Sequence, residues 1–340
     1  MIIITEHIDT AFSKLMYYLT SRNCVGNVFI IAAMIKLKKG RKQLNLHGWV
    51  IYNGYLEGNK FLDFAETIQQ AAAEQHISID IYRNDELLSV METDSIGLLH
   101  IKQAELPHFA VFADKDIYLA RQLEWLGVRL FNSAEAIARS DDKIASYQRF
   151  AVNGLSIPKT IAAPKAFHRT TDISATDYKA AIEQLGLPMI VKEAFGSFGE
   201  QVHMVSTEAE LFAKIHDMQG KPFMLQEFVA SSYGKDMRLH VVGDHVAAAM
   251  KRQAFNHFRA NVTAGGTMQP YHPSENEQQL AIAATKAIGA DFAGVDLLFG
   301  EQDRPIICEV NSNAHIRSMY DCTGINIADF MIDDIRKKMK

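Results

Sequence analysis

Asp296, Glu309 and Asn311 are the residues best suited to hold a hard cation. Glu309 and Asn311 stand two apart in an apolar stretch, so on a strand they point to one face. Asp296 lies in a second such stretch, Gly294-Val295-Asp296-Leu297-Leu298. Three oxygen donors from two neighbouring strands suit Mg²⁺, which takes one or two carboxylates together with substrate phosphates. The alternative is a pair of exposed acids on a sheet edge. The apolar flanks weigh against it, because unpaired acids in such strands are costly. Two facing carboxylates would also repel unless a cation lay between them.

Lys192 ends the apolar strand Leu187-Pro188-Met189-Ile190-Val191-Lys192, and Gly196-Ser197-Phe198-Gly199 follows. Glycine lets backbone N–H groups come close to phosphate oxygens, and lysine adds a point charge. The loop is neither a Walker A loop nor a dinucleotide fingerprint. Taken alone, an ordinary hairpin with an exposed lysine explains the same residues. Gln226-Glu227-Phe228 ends another strand and could offer backbone groups and an apolar wall to a purine, though alone it is only a strand end. Arg238, Lys251, Arg252 and Arg259, with Asn261, supply the basic side chains of the last third. Arginine forks suit carboxylate and phosphate. Singly, each reads as a solvated surface residue, and Lys251 is given no role.

The elements that must carry these residues begin with strands at 48–54, 77–81, 108–112 and 128–131. Helices over 61–74 and 117–126 alternate with them. Such alternation predicts a parallel sheet with right-handed crossovers, over residues 47–135. Asn132-Ser133 opens a short helix, and Ser140-Asp141-Asp142 caps another over 143–153. Residues 163–176 read as a connection. A second unit holds strands at 187–192, 201–205 and 223–228 and a helix over 208–216. A third holds a hairpin turning at Gly243-Asp244, a helix over 277–288, strands at 292–299 and 305–311, and a closing helix over 325–338.

In this order the pieces resemble the ATP-grasp superfamily, and within it the RimK-type α-L-glutamate ligases. The residues that carry the resemblance are Asp142-Lys143, Pro188 to Gly199, Gln226-Glu227-Phe228, Asp236-Met237-Arg238, Phe258 to Asn261, Gly265-Gly266, Ala293 to Asp296, Glu309-Val310-Asn311 and Thr323 to Ala328. They span about residues 130–336. The resemblance implies an α/β fold, α+β in its C-terminal lobes: a Rossmann-like pre-ATP-grasp domain at 47–135, then a two-lobed ATP-grasp domain at 136–340. The small lobe would occupy about 160–230 and the C-terminal lobe about 231–336. It implies ATP with Mg²⁺, or Mn²⁺ in its place, and carbon–nitrogen ligation through an acyl phosphate. Lys143 and Lys192 would contact the phosphates or the adenine edge, and Gly196, Ser197 and Gly199 would close over the phosphates. Gln226, Glu227 and Phe228 would hold adenine, and Asp236 would face the ribose. Arg238, Arg259 and Asn261 would line the transfer site, and Asp296, Glu309 and Asn311 would hold the metal.

One stretch departs from the family pattern. After Asn311 the chain reads Ser312-Asn313-Ala314-His315-Ile316-Arg317-Ser318-Met319-Tyr320, where family members carry a Ser-Pro-Gly stretch and a short acidic run. The loop adjoins the metal residues, so the acceptor or its placement should differ from that of ribosomal-protein glutamylation. Other ATP-grasp chemistries (a LysX-like amino-group modifier or a dipeptide ligase) and a nucleotide-binding regulator without turnover are the competing functions.

The chain has 340 residues, a formal net charge of −5, 48% hydrophobic and 22% charged residues. That length suits two or three lobes, and the balance excludes general nucleic-acid binding. Three cysteines fit a reducing cytoplasm better than a disulfide framework. The apolar run Val25 to Leu37 falls short of the roughly 20 residues that span a bilayer. A basic cluster, Lys36 to Lys42, follows rather than precedes it, unlike a signal peptide. A signal-anchor, a docked helix and a loose extension all fit residues 1–46, and Met34 could lie nearer the true start. The expected partners are ATP, a carboxylate and an amine, with no membrane, and the resemblance favours a homo-oligomer.

Overall fold

A computed structural model describes residues 46–100, 105–165, 175–196, 199–254, 257–260 and 266–340. The expectations for residues 1–45, Ser197, Phe198, Asn261 and Gly265 lie outside the described residues. Residues 47–340 form one contact unit.

The first sheet is built from β1 (His47–Tyr52), β2 (Ser78–Arg83), β5 (Phe109–Ala113) and β6 (Arg129–Phe131). All three pairings are parallel, and the order is β2-β1-β5-β6. Trp49, Val50 and Ile51 are all buried, as expected of a parallel strand covered on both faces. Helix α1 (Lys60–Glu74) lays Phe64, Ile68 and Ala72 against it. Phe61 of the same predicted face is only partly buried, and its ring meets His315. The structure adds a hairpin absent from the sequence reading, β3 (Leu87–Met91) and β4 (Ile96–His100). Paired leucines at 87–88 and 98–99 blur the period-2 alternation that would have marked it. Helix α2 (Ile117–Trp125) supports this hairpin: the Gln122 amide donates to the carbonyls of Val90 and Gly97.

Helices α3 (Ala134–Asp141) and α4 (Lys143–Val152) lead to the second sheet. Ser133 caps α3 and Asp142 caps α4. Asn132 and Ser140, read as cap-region residues, are employed elsewhere. The second sheet, antiparallel throughout, runs β7 (Thr160–Ala162), β10 (Phe223–Glu227), β8 (Met189–Glu193), β9 (Val202–Val205). Helix α5 (Ala175–Leu185) starts inside the stretch expected to be a connection. Its placement comes from packing, with the Tyr178 ring stacked on Phe223 at 6.3 Å. Helix α6 (Glu208–Met218) packs Leu211 and Ile215 into the same core as Met189 and Val191.

The third sheet, also antiparallel, is β13 (Thr267–Pro270), β12 (His245–Gln253), β11 (Lys235–Val242), β14 (Phe292–Phe299), β15 (Pro305–Asn311). One face packs on α7 (Glu275–Ile288), where Ala281, Ala284 and Ile288 join Leu239, Val241, Val295 and Ile307 in the core. Tyr147, Phe150 and Met224 belong to that core too, so α4 and the second sheet meet the third sheet through apolar contact. A short helix, α8 (Arg317–Thr323), begins inside the departing stretch, and α9 (Ile327–Lys338) closes the chain. No helix among the described residues is long and apolar enough to cross a membrane.

Candidate active site

Two of the strands of the third sheet meet in the register the spacing requires. Asp296 of β14 is the partner of Glu309 of β15, and Gly294 is the partner of Asn311. A register shift follows at once between Asp296 and Leu297. Glu309 is partly open, with a third of its side chain exposed, and lies 3.9 Å from the Lys143 ammonium. Asp296 is buried.

The expected repulsion between these two acids is absent, because arginines already satisfy Asp296. Arg238 donates to both of its carboxylate oxygens at 2.7 Å, and Arg252 reaches one of them at 2.9 Å. Arg252 also donates twice to Asp236, again at 2.7 Å. Two acids and two guanidiniums thus alternate within the sheet. The arginines hold the Asp296 carboxyl down to about 2, against the opposing effect of its burial. Burial pushes Asp236 up, although Arg252 pulls the other way. Arg252, read from sequence as a solvated side chain, is 4% exposed and bridges both acids. Asp236, the expected ribose contact, has its carboxylate committed to Arg252.

The lysines come from α4 and from β8 of the second sheet. Lys143 opens α4, and its main-chain N–H donates to Ala194 O at 2.9 Å while its ammonium donates to Gly196 O at 3.0 Å. Burial lowers its pKa, and Glu309 pulls the other way. Lys192 is buried rather than exposed, with its ammonium 5.8 Å from the centre of the Tyr147 ring. Burial opposes its charge, but Tyr147, Cys308 and Glu309 outweigh burial and its pKa is raised. The Tyr147 hydroxyl donates to Cys308 O at 2.9 Å, which ties α4 to β15. No sequence signal marked Tyr147. Gly196 and Gly199 both have positive φ, 133° and 74°, where a side chain would be strained. The carbonyl of Gly199 accepts from the Arg259 guanidinium, which brings the third sheet's basic loop to the glycine loop.

Gln226 is buried and donates to Thr160 Oγ1 at 2.8 Å. Glu227 turns its carboxylate to the Lys159 N–H at 2.8 Å, and the Phe228 ring lies edge-on to Tyr233. Lys251 lies over the Phe299 ring at 5.3 Å.

The family model for the RimK-like ATP-grasp domain matches residues 140–335. The chain belongs to the RimK-like ATP-grasp family. A relative from Vibrio parahaemolyticus serotype O3:K6, a probable alpha-L-glutamate ligase, is 31% identical over 297 residues, covering 84% of this chain and 95% of its own. A probable alpha-L-glutamate ligase from Parasynechococcus marenigrum is 34% identical over 225 residues, 65% of this chain. The match spans only 46% of that relative's length. Among solved structures, the ATP-grasp ligase PsnB with minimal precursor, Mg and ADP aligns with a TM-score of 0.63 at 15% identity, over 86% of this chain and 97% of that one. D-alanine–D-alanine ligase from Bacillus anthracis with ATP aligns at 0.64 and 16%, over 86% and 97%. Those two share the ATP-grasp fold with this chain.

In this RimK-like chain the departing loop after Asn311 is fastened to the first sheet and its helix. Asn313 donates to Asp114 O at 2.7 Å. Arg317 makes a two-pronged pair with Asp63 of α1, at 3.0 and 2.5 Å. His315 rests against Phe61 with ring centres 5.1 Å apart, and burial holds its pKa down to about 4. His240 is buried behind them with its pKa down to about 3, so both imidazoles are neutral near pH 7. Among the described residues no cluster of three His, Cys, Asp or Glu side chains could hold a metal alone. The donors that are present, two carboxylates and an amide oxygen beside two lysines, fit Mg²⁺ that arrives with nucleotide phosphates better than a free-standing ion.

Proposed function

We propose that this chain activates a carboxylate with ATP and joins it to an amine, adding glutamate or another amino acid to an acceptor. What supports this reading is the ammonium of Lys143, in reach of both Gly196 of the glycine loop and Glu309, the strand partner of Asp296. The 47–135 region would act as the pre-ATP-grasp domain and 136–340 as the ATP-grasp domain.

Lys143 and Lys192 would hold the nucleotide phosphates. Gly196, Ser197 and Gly199 would fold over them and exclude water. Gln226, Glu227 and Phe228 would border adenine. Glu309, Asn311 and one oxygen of Asp296 would hold Mg²⁺ or Mn²⁺, which supplies charge neutralisation at the transferring phosphoryl group. The substrate carboxylate oxygen attacks the γ-phosphorus and ADP leaves, giving an acyl phosphate. The amine nitrogen then attacks the acyl carbon, phosphate departs, and the amine gives up a proton. Arg259, Asn261 and Arg238 would stabilise charge on the oxygens that change hands. The protein's part is positioning and electrostatics rather than a covalent nucleophile.

The acceptor is read from the departing loop. Neutral His315 and the Arg317–Asp63 pair stand where the family pattern places a Ser-Pro-Gly stretch and acids, so the acceptor should differ from a ribosomal-protein tail. Sparse cysteines support a cytoplasmic setting, and a homo-oligomer is the expected state. Incubation with ATP, Mg²⁺ and an amino-acid mixture, followed by mass spectrometry, tests the proposal. A product heavier by one condensed residue, with ADP release that depends on the amine, is expected. Nucleotide binding without amine-dependent turnover would instead identify a regulator.

A further inference from the structure

Asn132 and Ser140 are tied to the candidate metal strands from far away in the chain. Asn132 is fully buried and uses both ends of its amide. Its Oδ1 accepts from the N–H groups of Asp291 and Phe292, at 2.6 and 3.1 Å. Its Nδ2 donates to Phe292 O at 2.9 Å and to Ser312 O at 3.0 Å. One side chain therefore grips the start of β14 and the residue that follows β15. These two strand ends lie side by side, because the strands are antiparallel and Gly294 is paired with Asn311.

Ser140 holds the same point from the other side. Its hydroxyl donates to Val310 O at 2.8 Å and accepts from Ser312 N–H at 2.9 Å. The backbone N–H and C=O of Ser312 are thus both bound by side chains from before and within α3. The carbonyl of Val310, between Glu309 and Asn311, is bound as well. β15 is an edge strand of its sheet. Side chains here do what a further strand would otherwise do for its polar backbone groups.

We propose that Asn132 and Ser140 are positioning residues that set the register of Asp296 against Glu309 and Asn311, and with it the geometry of the metal site. Neither residue touches the reacting groups. Their effect comes through the backbone of β14, β15 and Ser312. A one-residue slip of β15 would turn Glu309 and Asn311 to the opposite face of the sheet. The inference rests on the proposed metal role of those residues.

The test is Mn²⁺ binding in the presence of a non-hydrolysable ATP analogue, read from the free-ion electron paramagnetic resonance signal. Ser140→Ala removes one hydroxyl and should fold. It is expected to weaken Mn²⁺ binding by about tenfold, the lower end for groups that orient metal ligands indirectly. Affinity for the metal-free analogue should stay at the wild-type value, which a general loss of structure would not allow. Asn132→Ala should weaken Mn²⁺ further where it folds, and Ser140→Ala decides the matter where it does not. Wild-type Mn²⁺ affinity in folded Ser140→Ala, with Glu309→Gln clearly weakened, would overturn the positioning role alone. Wild-type affinity in Glu309→Gln as well would overturn the metal site and this inference together.

Discussion

Arg238 closes on Asp296 with two parallel hydrogen bonds of 2.7 Å, across the register pair β11–β14. A carboxylate in an apolar strand is thereby made tolerable before any metal binds. Arg238→Met should therefore lower stability as well as activity. Breaking a buried pair costs up to about 3–5 kcal/mol, and Arg252, which remains, should keep the loss toward the lower end. Denaturant unfolding of this variant beside the wild type measures it. The pH sign follows from the depressed carboxyl. Asp296 adds stability above its unfolded pKa, and that stability is lost as pH falls toward about 2. In Arg238→Met the Asp296 carboxyl is held down less, so this acid-sensitive contribution should be smaller.

Glu309→Gln should separate function from stability. The partner of Glu309 is Lys143 at 3.9 Å, and a third of the Glu309 side chain is exposed, so the pair is weak. Amide formation should disappear while the unfolding free energy changes by less than about 1 kcal/mol. The two carboxylates do not repel unopposed, since Arg238 and Arg252 already offset Asp296, so no gain in stability is expected. A calorimetric scan together with an ADP-release assay checks both halves.

Lys192→Met tests the phosphate contact. The ammonium is buried yet charged, and methionine fits an apolar slot without a buried charge. Nucleotide affinity should fall by about 1.5–3 kcal/mol, the worth of a hydrogen bond to a charged group, while the thermal midpoint holds or rises. Titration calorimetry with ATP reads the first, and wild-type affinity would remove Lys192 from the site.

Arg317→Gln probes acceptor choice. The Arg317–Asp63 pair is largely exposed, so its removal should leave the stability of the fold nearly unchanged. The loop it fastens borders the site, so KM for the amine acceptor should change several-fold while KM for ATP stays put. Steady-state kinetics with both substrates varied would show equal shifts if the loop acted only on overall folding.

The sequence alone determined the order of the motifs and the faces of their strands. Period-2 spacing placed Glu309 and Asn311 on one side of β15, and an apolar run ending in lysine placed Lys192 on a strand beside a glycine turn. Those are local properties, set by side-chain alternation and by the need of Gly196 and Gly199 for positive φ. Tertiary structure decided which charges meet. Arg252 looked like a surface residue because nothing near it in sequence shows that β11 and β12 bring Asp236 to its guanidinium. Tyr147 shows no local sign that it lies beneath Lys192. Ser140 and Ser312 are 172 positions apart, and no periodicity within a segment can report a hydrogen bond between them. Asn132 and Ser140 looked like helix-cap residues because their types favour that role. Packing α3 against the edge of the third sheet gave them unpaired backbone groups to satisfy instead, and a buried N–H or C=O without a partner costs more than a missing cap.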